Sequence, residues 1–105
     1  MNNEFYLQEF IGNNVIIKDS PNPNNVNIKG KIVDETRNMI TIYSKGKICK
    51  IPKEKTIFTI EFGNEMHNIN GDFIRIRPEE RTKEKRKIYK KIRRYDKNEK
   101  YRLGY

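Results

Sequence analysis

The chain has 105 residues and one formal charge balance that matters, 23 Lys and Arg against 14 Asp and Glu, a net +9. That length supports one domain with one small core. A single cysteine, Cys49, and a single histidine, His67, exclude an internal disulfide and a multi-ligand zinc site, and the lone thiol fits a reducing, cytoplasmic setting. No apolar run approaches the roughly 18 residues of a membrane span, and MNNEFYLQEF at the start has neither a basic opening nor an apolar signal core.

The charge is unevenly placed. Residues 78–105 carry 12 cations and 5 anions, a net +7, and residues 1–77 carry 11 and 9, a net +2. Closely spaced cations release counterions when they meet phosphates, so this asymmetry points to a nucleic-acid partner. The plainer reading of the same residues is a solvated helix.

In chain order, Asn3 to Ile11 predicts a short helix ended by Gly12 in a left-handed cap. Its crowded apolar residues, Phe5, Tyr6, Leu7, Phe10 and Ile11, are expected to dock on the body and also to serve a protein partner. Strands follow from Asn14 to Ile76. Val15 and Ile17 alternate with Ile16 and Lys18, and DSPNPNN at Asp19 to Asn25 stops the run. Val26, Ile28, Gly30 and Ile32 share one face of a second strand, with Asn27, Lys29 and Lys31 on the other. Gly30 marks a bend. Asp34 to Asn38 reads as a turn, with Ile40 and Ile42 resuming the inward face. Lys45-Gly46-Lys47 is a hairpin, Ile48 to Ile51 a short strand, and Pro52 a turn or edge. Phe58, Ile60 and Phe62 alternate inward. Phe62 to Glu65 turns, and Met66–Ile69 and Phe73–Ile76 supply two last strands across Asn70-Gly71-Asp72. Short strands at this spacing suit a small antiparallel barrel, with Sm-like, SH3-like and OB architectures equally open on pattern.

Pro78 opens a basic helix, with Glu79 and Glu80 at its positive end. Ile88, Tyr89, Ile92 and Tyr95 form its apolar stripe. Lys83, Lys85, Arg86, Lys87, Lys90, Lys91, Arg93 and Arg94 surround that stripe. The expected division is 1–12 as a helical arm, 13–77 as the barrel, 78–96 as the basic helix and 97–105 as a loosely ordered tail.

No catalytic constellation emerges. Ser20 and Ser44 lie in turns without a His-Asp pair, and Asp34, Glu35 and Asp72 read as turn and capping carboxylates. His67 reads as structural and Cys49 as a small core residue. No GxxxxGK[ST] phosphate loop is present. RNA binding is the better-supported chemistry, through the basic helix and through Lys29, Lys31, Arg75, Arg77 and Arg81, with Lys45 and Lys47 extending the patch. Arg77 and Arg81 would meet one phosphate cluster at the barrel-to-helix junction; internal pairing with Asp34, Glu35 or Glu80 is the equal alternative for these two.

Three phrases stand in family-like order: the run from Phe10 through GKIVDET to Ile42, then IPK at Ile51 to Lys53, then RPEER at Arg77 to Arg81. Their wording and spacing resemble archaeal ribonuclease P protein component 1, the Sm-like protein subunit of archaeal ribonuclease P. The resemblance covers Phe10 to Arg81 and selects the Sm-like barrel. It implies a noncatalytic subunit of a ribozyme-based endoribonuclease that removes the 5′ leader of precursor tRNA. The RNA subunit is then the catalyst and uses magnesium, while this chain binds no cofactor. The resemblance further implies binding to the specificity domain of ribonuclease P RNA together with a zinc-ribbon subunit, among other ribonuclease P proteins. Phe5, Tyr6, Phe10, Val26 and Ile28 would face that zinc-ribbon partner. Asn27 departs from the small residue relatives often carry there. Val33-Asp34 and Asn38-Met39 only loosely echo the first signature of ring-forming Sm proteins. Asn70-Gly71 replaces their uridine-contacting Arg-Gly, so neither a uridine pocket nor a ring is implied, and the isolated chain is expected to be monomeric. A stand-alone Sm-like RNA binder and a ribosome-associated barrel protein are the alternatives.

Overall fold

The computed structural model describes residues 3–81; the expectations for Lys83 to Arg94 and for the tail at 97–105 lie outside these residues. Within them the chain is mainly β. Strands β1 (Asn14–Asp19), β2 (Lys29–Glu35), β3 (Met39–Ser44), β4 (Lys47–Pro52), β5 (Ile57–Phe62) and β6 (Glu65–Asn70) form one antiparallel sheet. Its order is β4-β3-β2-β1-β5-β6. Period-two alternation puts Val15, Ile17, Ile40, Ile42, Phe58 and Ile60 on one buried face. The sheet curls around these residues.

The curl has identifiable causes. Register shifts between Ile17 and Asp19 in β1, and between Ile32 and Asp34 in β2, each leave one extra residue that bends its strand. The sequence assigned the bend of β2 to Gly30, but the bulge lies at Val33. Gly30 serves a different need: a Cβ there would lie 2.1 Å from the Tyr43 carbonyl oxygen, so only glycine admits the approach of β3. The ladder does not close on itself, because β4 and β6 remain its two edges among the described residues. The expected barrel is thus a curled open sheet.

Other boundaries also differ from expectation, for local reasons. The N-terminal segment is a 3-10 helix only over Asn3–Leu7, and Gly12, at φ +95°, donates its N–H to the Ile32 carbonyl at 2.8 Å. Strand β2 starts at Lys29 rather than Val26. A 3-10 turn at Pro23–Asn25, capped by the Asn22 side chain, runs into Asn27 at φ 72°, which interrupts extended geometry. Asp34 and Glu35 belong to β2, and the turn is closed by the Thr36 N–H on the Met39 carbonyl at 2.9 Å. Finally, Phe73–Ile76 is not a strand. The Asn70 side chain accepts from the Asp72 N–H and starts a 3-10 turn, Gly71–Ile74, that buries Phe73 and Ile74. Gly71 is forced here, since a Cβ would sit 1.9 Å from the Lys53 carbonyl oxygen.

Candidate nucleic-acid interface

The cations of the body sort into buried and exposed sets, and for Arg81 the internal pairing is the alternative that holds. Arg81 closes the one-turn helix α1 (Pro78–Arg81) and is 1% exposed. Its guanidinium donates to the Glu35 carboxylate through Nη1, to the Gln8 carbonyl through Nη2 at 2.8 Å, and lies 3.8 Å from the centre of the Phe10 ring. Glu35 also accepts from Lys53 Nζ at 2.8 Å, and that ammonium donates to the Ile74 carbonyl at 2.8 Å. Two cations and one carboxylate are thus sealed at the meeting point of the N-terminal segment, β2, the turn after β4, and α1. Arg81 is therefore not available to phosphate. An exposed guanidinium would have left a lone Lys53–Glu35 pair with the Gln8 carbonyl unmet.

Burial pushes the Lys53 ammonium below its ordinary value of 10.5, against the opposing pull of the Glu35 carboxylate. The unfolded chain then holds that proton more tightly than the folded one. Stability from this group should rise as pH climbs from the lowered pKa towards 10.5. Urea midpoints taken between pH 7 and pH 10 should rise more for the wild type than for Lys53→Met; parallel profiles would contradict the shift.

Two expected partner-facing residues are also interior. Tyr6 is 3% exposed and Phe10 is fully buried. The Tyr6 hydroxyl accepts the Asn70 N–H at 3.1 Å, and Phe10 packs 5.9 Å from Phe62. Both are hidden because the N-terminal segment folds back on the body, with the Tyr6 ring 5.9 Å from Phe73 and the Gly12 N–H on the Ile32 carbonyl. Phe5 remains half-buried, stacked on His67 at 3.7 Å between centroids and 5.0 Å from Phe62. His67 thus has an aromatic packing role.

The other expected RNA-binding cations of the body, Lys29, Lys31, Lys45, Lys47, Arg75 and Arg77, are all exposed. Arg75 stands 4.0 Å from the exposed Glu54 carboxylate, a pairing worth little in water. Lys31 sits on the outer face of the sheet opposite Tyr43, whose other neighbour is Ile48. Lys29, Lys45 and Lys47 converge instead on a cleft of about 570 Å³, together with Val26, Asn27, Ile28, Ser44 and Cys49. The sequence reading had Lys45 and Lys47 extending the Lys29 and Lys31 patch, but it did not show a cleft between them. The signal available was the Lys-Gly-Lys turn itself, which folds two cations back over the strand before it.

The described residues contain no group of three His, Cys, Asp or Glu placed to hold a metal ion, and no helix long and apolar enough to cross a membrane.

The sequence over residues 3–84 matches the model of ribonuclease P/MRP, subunit p29. The chain belongs to that family. Among its relatives, ribonuclease P protein component 1 of Thermoplasma volcanium is 40% identical over 88 residues, covering 83% of this chain and 94% of the relative. The protein of the same name from Archaeoglobus fulgidus is 35% identical over 80 residues, covering 76% and 78%. A solved structure of Mth11, described as a homologue of human RNase P protein Rpp29, aligns with a TM-score of 0.54 at 35% identity. It covers 70% of this chain and 96% of that one. The p29-family match ends just beyond Arg81, so it contains the curled sheet, the buried Glu35–Lys53–Arg81 cluster and the lysine cleft.

Proposed function

We propose that this chain is a noncatalytic, RNA-binding protein subunit of ribonuclease P, the ribonucleoprotein that removes the 5′ leader from precursor tRNA. Membership of the p29 family over residues 3–84 carries the reading. The net charge of +9 supports it, since neutralised phosphates let a folded RNA pack more closely. In this reading the RNA subunit performs the chemistry with magnesium, and the chain contributes by stabilising the RNA's specificity domain. It does so in the cytoplasm, paired with a zinc-ribbon subunit and alongside other ribonuclease P proteins. Phe5, half-buried beside His67, is the N-terminal side chain left for the zinc-ribbon contact. The basic residues from Lys83 to Arg94 supply the broad electrostatic contact.

The deciding assay is precursor-tRNA 5′ cleavage by the cognate RNA at limiting magnesium, with the zinc-ribbon subunit present throughout. Adding this chain should raise cleavage at least tenfold, and no cleavage should occur without the RNA. Unchanged cleavage would remove the subunit reading. Cleavage by the chain alone would remove its noncatalytic part.

A further inference from the structure

The cleft between the approach to β2 and the β3–β4 hairpin has a chemistry of its own. Its floor is apolar, from half-buried Val26, Ile28 and Cys49. Its rim carries Lys29, Lys45 and Lys47, none of which pairs with a carboxylate among the described residues. The walls are tied together, because the Ser44 hydroxyl donates to the Lys29 carbonyl at 2.6 Å. Ser44 and Lys47 are also directly opposite each other across the hairpin.

Backbone conformation singles out the same place. Three described non-glycine residues have positive φ, and two of them, Asn27 at 72° and Lys45 at 50°, line this cleft. Such conformations cost of order 1 kcal/mol or more and gather where a site is held in shape. Glycine would fill the first hairpin position without that cost, yet a lysine stands there. The Asn27 N–H donates to the Ile17 carbonyl at 2.8 Å, and its exposed side-chain amide, at a residue lining the cleft, makes no hydrogen bond within the described residues.

We propose that this cleft takes one unpaired nucleotide of RNA. Its base lies on the Val26, Ile28 and Cys49 floor with its edge at the Asn27 amide, and the flanking phosphates lie on Lys29, Lys45 and Lys47. A volume of about 570 Å³ is in the range of small-molecule pockets and accommodates a base. A duplex cannot use it, because paired bases stay stacked inside the helix and present only phosphates. The inference rests on the RNA-binding reading and assigns Val26 and Ile28 to RNA rather than to the zinc-ribbon partner.

The test uses the full chain with labelled single-stranded hexamers of uridylate and of adenylate, and a 12-base-pair RNA duplex as comparison. Lys45→Ala with Lys47→Ala alters only exposed side chains and should weaken hexamer binding tenfold or more, leaving duplex binding within twofold. The slope of log K against log salt should fall by about 1.4 for the hexamers, at about 0.7 per phosphate. Cys49 is the sole cysteine, so its alkylation by N-ethylmaleimide reports on the floor directly and should slow at least fivefold in the saturated hexamer complex. Wild-type hexamer affinity in the double variant, or an unprotected thiol in the complex, would overturn the inference. The subunit reading would then stand or fall by cleavage alone. Protection by the zinc-ribbon subunit but not by the hexamers would make the cleft a protein dock. Absence of any RNA binding would remove the inference and the RNA-binding reading together.

Discussion

Glu35→Ala should destabilise the fold by about 3–5 kcal/mol, because it leaves Lys53 and Arg81 as two buried cations without a counter-charge. The carboxylate is inaccessible, as is the Lys53 side chain, and Arg81 is 1% exposed, so water cannot replace what is lost. Domains of this size are typically stable by only about 5–15 kcal/mol, so a large share of the margin goes at once. Urea denaturation monitored by circular dichroism measures the change. A loss below about 1 kcal/mol would mean the cations reach solvent when the carboxylate is removed. Replacing all three residues by apolar ones of similar volume should be far milder than the single change, since no charge then remains buried.

Phe10→Ala should cost about 3–5 kcal/mol through the cavity it leaves beneath the N-terminal segment. The guanidinium of Arg81 rests 3.8 Å from that ring's centre, a contact worth up to roughly 2 kcal/mol where water is excluded. The same cavity would therefore loosen the ion cluster, and a double-mutant cycle with Glu35→Ala should show coupling well above about 0.5 kcal/mol. Additive losses would show that ring and cluster act independently. Phe5→Ala, at a half-buried position, should cost distinctly less. If instead Phe10 belonged to a free partner-binding arm, its replacement would leave the denaturation midpoint unchanged.

The strand faces were legible because alternation survives in the sequence wherever one side of the sheet is buried. Val15 with Ile17, Ile40 with Ile42 and Phe58 with Ile60 all lie where period two puts them. Loop conformations were less legible. Nothing in the letters around Asn27 distinguishes a strand already begun from a left-handed residue that delays it. Gly30 and Gly71 were visible as glycines, but the backbone that each admits, at Tyr43 and Lys53, is distant in sequence.

Pairing of Arg81 with Glu35 stood among the alternatives in the sequence. The part of Lys53 and the burial of all three were hidden, because lysine, arginine and glutamate ordinarily mark surface and these three are scattered along the chain. Yet each phrase that carried the family resemblance holds one of them. GKIVDET contains Glu35, IPK contains Lys53 and RPEER contains Arg81. What reads as family wording in those phrases is, in three dimensions, an ion cluster holding the N-terminal segment and α1 to the sheet. The lysine cleft left no such wording, since a nucleotide-sized hollow is a property of spacing between β2 and the hairpin.

The open edges of the sheet have a consequence for the protein's behaviour in solution. Strand β4 offers unpaired backbone groups along its outer side among the described residues, beside an Ile48 that is 59% exposed and a Tyr43 that is 50% exposed. A bare edge of this kind is a template on which a second chain can add strands. Here Lys47 and Lys50 stand on the edge itself, so two copies approaching edge to edge bring like charges together. These edge cations thus act as gatekeepers against self-association, and they lose that role when salt screens them. Colloidal stability of the free protein should therefore fall as ionic strength rises.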